Sequence, residues 1–116
     1  DFLMMGGRHL DDAQLYSNHR EVGLGIRQAM DLGIPRGEIF LTTKIYDADF
    51  GFEAADAWVT RALMELGLDY IDLVLLHWAG SHDRCGEPKS CRQETWLALQ
   101  RAKAKGQIKH LGVSNF

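Results

Sequence analysis

Tyr70-Ile71-Asp72-Leu73-Val74-Leu75-Leu76-His77-Trp78-Ala79-Gly80 is the stretch on which the fold turns. From Leu73 to Leu76 it is unbroken apolar sequence, with no polar residue on either face. A strand with one wet face alternates in polarity. A continuous run implies burial on both faces, as in parallel sheets. The run stops at His77, and Trp78, Ala79 and Gly80 lead into a polar loop. In α/β proteins, ligands gather at the carboxyl ends of parallel strands, so His77 stands where chemistry is commonly placed. Taken alone, a histidine ending a buried strand is more often a packing residue, and only the other strand ends can change those odds.

Working outward from this strand, Phe52 to Leu66 reads as an amphipathic helix, with Ala55, Trp58, Val59, Ala62, Leu63 and Leu66 on one side and Gly67 at its end. Before it, Ile39 to Thr43 is a strand rich in β-branched residues that ends at Lys44, and Tyr46 to Gly51 is a loop. Further back, Val22, Ile26, Ala29 and Met30 mark one face of another helix, with Gly33 as its C-cap and Pro35 blocking continuation. Arg8 to Ala13 is a short strand with its carboxyl end near Asp11. Downstream, Ala79 to Arg92 reads as a polar loop. A third helix, Gln93 to Lys105, presents Trp96, Leu99 and Ala102, and Ile108 to Val113 is a last strand ending in Ser114-Asn115-Phe116.

The order is β-α-β-α-β-α-β, which predicts parallel strands joined by right-handed crossovers. Strand ends recur regularly: 33 residues from Asp11 to Lys44, 33 from Lys44 to His77 and 37 from His77 to Ser114. One strand-helix unit per step suits a partial (β/α)8 TIM barrel of four strands and three helices. A doubly wound sheet is the alternative. Yet no G-x-G-x-x-G follows a strand, and Gly23-Leu24-Gly25 falls inside a helix.

Composition excludes several function classes. The 116 residues are 46% hydrophobic and 25% charged, with a net charge of -3. That acidic balance argues against nucleic-acid binding, and no run of 18 apolar residues offers a membrane span. The start lacks the basic n-region and apolar length of a signal peptide, which makes the cytoplasm the expected location. Cys85 and Cys91 lie in the same polar loop; they are close enough in sequence to pair, and free thiols are the preferred reading. The chain starts at Asp1 and stops after a strand, so residues 1–116 are read as a fragment of a single domain truncated at both ends.

The strand ends carry an acid, Asp11; a base, Lys44; an imidazole, His77; and Ser114 with Asn115. Tyr16 adds a phenol five residues beyond Asp11. Each has a plainer reading: Lys44 as a snorkelling lysine, Asp11 as an N-cap, Tyr16 as packing, Asn115 as a turn former. Those readings leave the joint placement at successive strand ends unexplained.

Gly7-Arg8-His9-Leu10-Asp11-Asp12-Ala13-Gln14-Leu15-Tyr16-Ser17-Asn18 resembles the first signature of the aldo-keto reductase superfamily. Leu41-Thr42-Thr43-Lys44, Leu68 through Trp78, and Gly106 through Phe116 resemble its next strands, in order and at family spacing. The resemblance implies a catalytic tetrad of Asp11, Tyr16, Lys44 and His77, with Tyr16 the general acid. It makes Lys44 the partner of Tyr16, Asp11 the carboxylate paired with Lys44, and His77 the group that orients the carbonyl. It implies NADPH as cofactor, with NADH the alternative. Asp11, Ser114 and Asn115 would contact the cofactor, the last two at the nicotinamide carboxamide. Tyr46, His77 and Trp78 would line a pocket for a small-molecule carbonyl substrate, and no metal is implied.

The chemistry agrees with those roles. Hydride delivery to a carbonyl carbon builds charge on oxygen and needs a proton donor. A free tyrosine, with a pKa near 10, is too weak an acid at neutral pH, and a lysine cation lowers that pKa. A non-catalytic subunit or interaction module on the same barrel is the second reading. The parent is expected to be a monomeric enzyme, and the 116 residues alone to be inactive and to self-associate. Departures from the family pattern include Gly7, Asp12, Ala79, and His19 in place of the usual glutamate after Asn18.

Overall fold

A computed structural model describes residues 7–11, 19–46, 49–76 and 88–113. Its elements are β1 (His9–Asp11), α1 (His19–Asp31), a 3-10 turn (Arg36–Glu38), β2 (Phe40–Ile45), α2 (Phe52–Leu66), β3 (Ile71–Leu76), α3 (Pro88–Ala104) and β4 (Ile108–Val113). The four strands are all parallel and lie in the spatial order β1-β2-β3-β4. Spatial order therefore follows chain order without a reversal. A doubly wound sheet turns back at a switch point, whereas a (β/α)8 barrel steps always to the next neighbour.

The alternation of side chains gives the sheet two unlike faces. One carries Leu41, Thr43 and Ile45 of β2 and Val74 and Leu76 of β3, all buried beneath the helices. The other carries Phe40, Leu73 and Leu75, which are half-buried, and His110, which is exposed. The continuous apolar run of β3 is thus fully covered on the helix side and partly covered on the other.

Under the helices, Ile26 and Ala29 of α1, Trp58, Val59 and Leu66 of α2, and Ala98, Leu99 and Ala102 of α3 form one core with the strands. The middle helix, α2, packs against both α1 and α3. Gly23 makes the first contact possible: a Cβ there would lie 2.1 Å from the Leu66 carbonyl oxygen. At the second contact, Thr95 of α3 is fully buried, and its hydroxyl accepts the N–H of Gly51, the N-cap of α2, at 2.8 Å. The N-cap's own backbone N–H, which an N3 side chain takes in a capping box, is thus satisfied from a neighbouring helix.

Glycine closes the helices. After α1, Ile34 N–H reaches the Ala29 carbonyl and Gly33 N–H that of Met30, with Gly33 at φ 109°. The same pair recurs after α3, from Gln107 to Ala102 and Gly106 to Lys103. Only a residue that accepts positive φ satisfies the last carbonyls in this way.

Some boundaries differ from the sequence expectation. β2 runs on through Lys44 to Ile45, because Ile45 completes the buried row begun by Leu41 and Thr43. α3 begins at Pro88, five residues before the expected Gln93, so the polar loop is shorter and Cys91 lies within a helix. Proline suits the first helical position, since its missing N–H would be unpaired there anyway. Met30 lies on the rim of α1 rather than on its buried stripe, which is formed by His19, Gly23, Ile26 and Ala29.

Candidate active site

Parallel strands in chain order bring their carboxyl ends to one side of the sheet. Asp11 ends β1 in register with Thr42, two positions short of Lys44 along β2. Lys44 in turn pairs with Leu75, and Leu75 with Gly112. Lys44 is half-buried on the face turned away from the helices, and Tyr46, half-buried, follows the end of β2. The chain leaves β3 at Leu76, directly before His77, and leaves β4 at Val113, directly before Ser114 and Asn115. Tyr16, His77, Trp78, Ser114 and Asn115 lie outside the described residues. The register therefore sets the Asp11 backbone beside Thr42, two positions from Lys44; the two are the first and third members of the expected tetrad in chain order.

Threonines hold the surroundings of Lys44 on both faces. On its own face Thr42 is buried, and its Oγ1 lies 3.0 Å from Nε2 of His9 on β1. On the helix face Thr43 is fully buried, with its Oγ1 3.2 Å from Nε2 of His19, the first residue of α1. His19 is itself 6% exposed. Its Nδ1 lies 3.4 Å from Oε1 of Glu65 on α2, and its ring meets Trp58 edge-on at 6.3 Å. In the sequence alone, His19 stands out only as a departure from a family pattern. A helical spacing signal was present, because His19 falls on the same face as Gly23 and Ile26.

A polar cluster at the opposite end of the sheet has another character. Arg36 donates to the Ile39 and Tyr70 carbonyls at 2.7 and 2.9 Å and pairs with Asp72 at 2.8 Å. Asp72 also accepts the Leu41 N–H at 2.9 Å, and the Arg36 guanidinium stacks 4.1 Å from the Tyr70 ring centroid. These contacts tie the amino ends of β2 and β3 together. A groove of about 620 Å³ opens nearby, lined by Leu24, Arg27, Met30, Arg36, Gly67 and Tyr70. It lies at the end of the sheet away from Lys44, where polar residues of barrels serve stability rather than catalysis.

Among the described residues, no group of three histidine, cysteine, aspartate or glutamate side chains could hold a metal ion, and no helix is long and apolar enough to cross a membrane.

Comparison with known proteins agrees with this architecture. The model of the aldo/keto reductase family matches residues 1–116. The chain is 42% identical over 111 residues to the 9,11-endoperoxide prostaglandin H2 reductase of Trypanosoma cruzi, covering 96% of this chain and 35% of that protein. An aldo/keto reductase structure from Brucella melitensis superposes with a TM-score of 0.87 at 40% identity, over 98% of this chain and 41% of the other. A Bombyx mori aldo-keto reductase solved in complex with NADP matches with a TM-score of 0.81 at 34% identity, over 94% and 36% of the two chains. The chain thus spans well under half the length of the proteins it matches. Sequential parallel strands, a family match over every residue and this degree of identity lead to one conclusion: the chain belongs to the aldo/keto reductase family.

Proposed function

We propose that this chain contributes the catalytic residues of an NADPH-dependent carbonyl reductase that converts aldehydes or ketones to alcohols. Tyr16 is the general acid, Lys44 its cationic partner, Asp11 the carboxylate that pairs with Lys44, and His77 the group that orients the carbonyl. The observation that carries the reading is the register between β1 and β2, which sets Asp11 and Lys44 two positions apart at the carboxyl end of the sheet.

NAD(P)H, when bound, supplies the hydride. The residues present fit its nicotinamide end. Directly after β4, the Ser114 hydroxyl and Asn115 amide offer the donor and acceptor that a planar carboxamide needs. A glycine-rich strand-to-helix turn for a pyrophosphate does not occur in these 116 residues. NADPH rather than NADH rests on the family, as does the assignment of Tyr46 and Trp78 to the substrate pocket.

The residues then divide the work. Tyr16 gives its proton to the carbonyl oxygen as negative charge builds there. The Lys44 cation favours the phenolate that is left, and Asp11 holds Lys44 oriented. A neutral His77 donates one N–H to the same oxygen, a second source of stabilisation for the developing charge. The test is NADPH oxidation with an aromatic aldehyde in the full-length protein containing this segment. Tyr16→Phe is expected to lower kcat about 10²-fold or more. A near-normal rate would remove Tyr16 as the acid.

A further inference from the structure

We propose that His19 is a positioning residue for the Tyr16–Lys44 pair, fastening the start of α1 to β2 beside Lys44. The inference rests on the assignment of Tyr16 and Lys44 above. It begins with two anchors. Residues 12–18, which include Tyr16, run between the end of β1 and the start of α1. The first anchor is Asp11, paired with Thr42 on β2. The second is His19, whose Nε2 lies 3.2 Å from the hydroxyl of Thr43. The two ends of the segment are therefore held to consecutive residues of one strand, and the next residue on that strand is Lys44.

A histidine suits the second anchor because it binds on two sides at once. Its Nδ1 lies 3.4 Å from Oε1 of Glu65 on α2, and its Nε2 lies 3.2 Å from Oγ1 of Thr43, a hydroxyl that can donate or accept. With the ring 6% exposed and set edge-on to Trp58, little freedom remains for the first residue of α1. Tyr16 lies only three residues upstream in sequence, which makes the His19 anchor the nearest described fixed point on its C-terminal side. Acid catalysis depends on a donor held within a few tenths of an ångström, and a displacement of about 1 Å can cost orders of magnitude in rate.

The experiment uses the full-length protein containing this segment, with kcat, the KM for an aldehyde, NADPH affinity and thermal stability measured for each variant. His19→Leu keeps the apolar bulk and removes both ring nitrogens. It is expected to lower kcat roughly tenfold, leaving KM and NADPH affinity within about twofold of wild type. His19→Gln places an amide where Nε2 stood and is expected to recover most of that loss. Thr43→Val removes the hydroxyl from the other partner at nearly unchanged shape. It should reproduce the loss, and the double variant His19→Leu with Thr43→Val should be no slower than either single. Unchanged kcat in His19→Leu or in Thr43→Val overturns the proposal, as does an additive double variant. If His19→Leu does not fold, Thr43→Val and His19→Gln decide the matter on the same criteria. Tyr16→Phe, run in parallel, separates the two levels. A normal rate there overturns the general-acid reading, whereas a slow Tyr16→Phe with a normal Thr43→Val overturns the role of His19 alone.

Discussion

At the scale of single residues, the two ends of the sheet use charge differently. Lys44 is half-buried at the carboxyl end, and the reading of it as the partner of Tyr16 has a pH consequence. A nearby cation stabilises the phenolate and lowers the phenol pKa. Reduction needs the protonated phenol, so the rate falls as pH rises through that pKa. Lys44→Met raises the pKa, and its basic limb in a kcat–pH profile is expected to move to higher pH while the plateau falls. A limb that stays in place would detach Lys44 from the proton donor. At the amino end, Arg36 and Asp72 form a pair whose side chains are each 13% exposed. Removing one member of such a pair strands the other. Asp72→Ala is expected to cost about 3 kcal/mol in denaturant unfolding. Asp72→Asn should cost less, because its amide oxygen still accepts the Leu41 N–H.

At the scale of elements, α1 contains two glycines with opposite consequences. A Cβ on Gly23 would meet the Leu66 backbone at 2.1 Å, whereas a Cβ on Gly25 meets nothing within 4 Å. Backbone cannot swing aside as a side-chain tip can, so Gly23→Ala must push α1 off α2. It is expected to lose about 1 to 3 kcal/mol. Gly25→Ala gains the intrinsic helix preference of alanine and is expected to add about 0.5 to 1 kcal/mol. Parallel thermal melts of the two variants would show shifts of opposite sign. A destabilised Gly25→Ala would mean that the outer side of α1 is covered. The same closeness brings Arg27 over Gly67, where its guanidinium donates to the Leu66 carbonyl.

At the scale of the whole molecule, the sheet is finished on one side only. Helices bury Leu41, Val74 and Leu76, while on the other face Phe40, Leu73 and Leu75 are half-buried and His110 is exposed. The outer edges of β1 and β4 have no strand beside them among the described residues. Parallel sheets are stable with both faces covered, and open edges template further pairing. Residues 1–116 expressed alone are therefore expected to self-associate and to show no turnover. Size-exclusion chromatography and an NADPH fluorescence titration test this. A monodisperse monomer that binds NADPH at micromolar concentration would show that the four strands suffice.

The parallel order of strands and the helix ends were legible in the sequence, because they depend on local pattern. The apolar run of β3, the 33-residue spacing between strand ends, and glycines after each helix are features of period and backbone conformation that need no distant partner. The start of α3 lies five residues before the sequence expectation for the same reason. Pro88 to Arg92 has no apolar periodicity, so the signal began only where the buried face did. Tertiary structure alone decided the polar contacts. His19 meets Thr43 across 24 residues, Gly51 meets Thr95 across 44, and Arg36 meets Asp72 across 36. Each bond joins polar groups that the sequence leaves equally free to face water. What pairs them is the cost of burying a polar group without a partner, and that cost exists only once the helices have closed over the sheet.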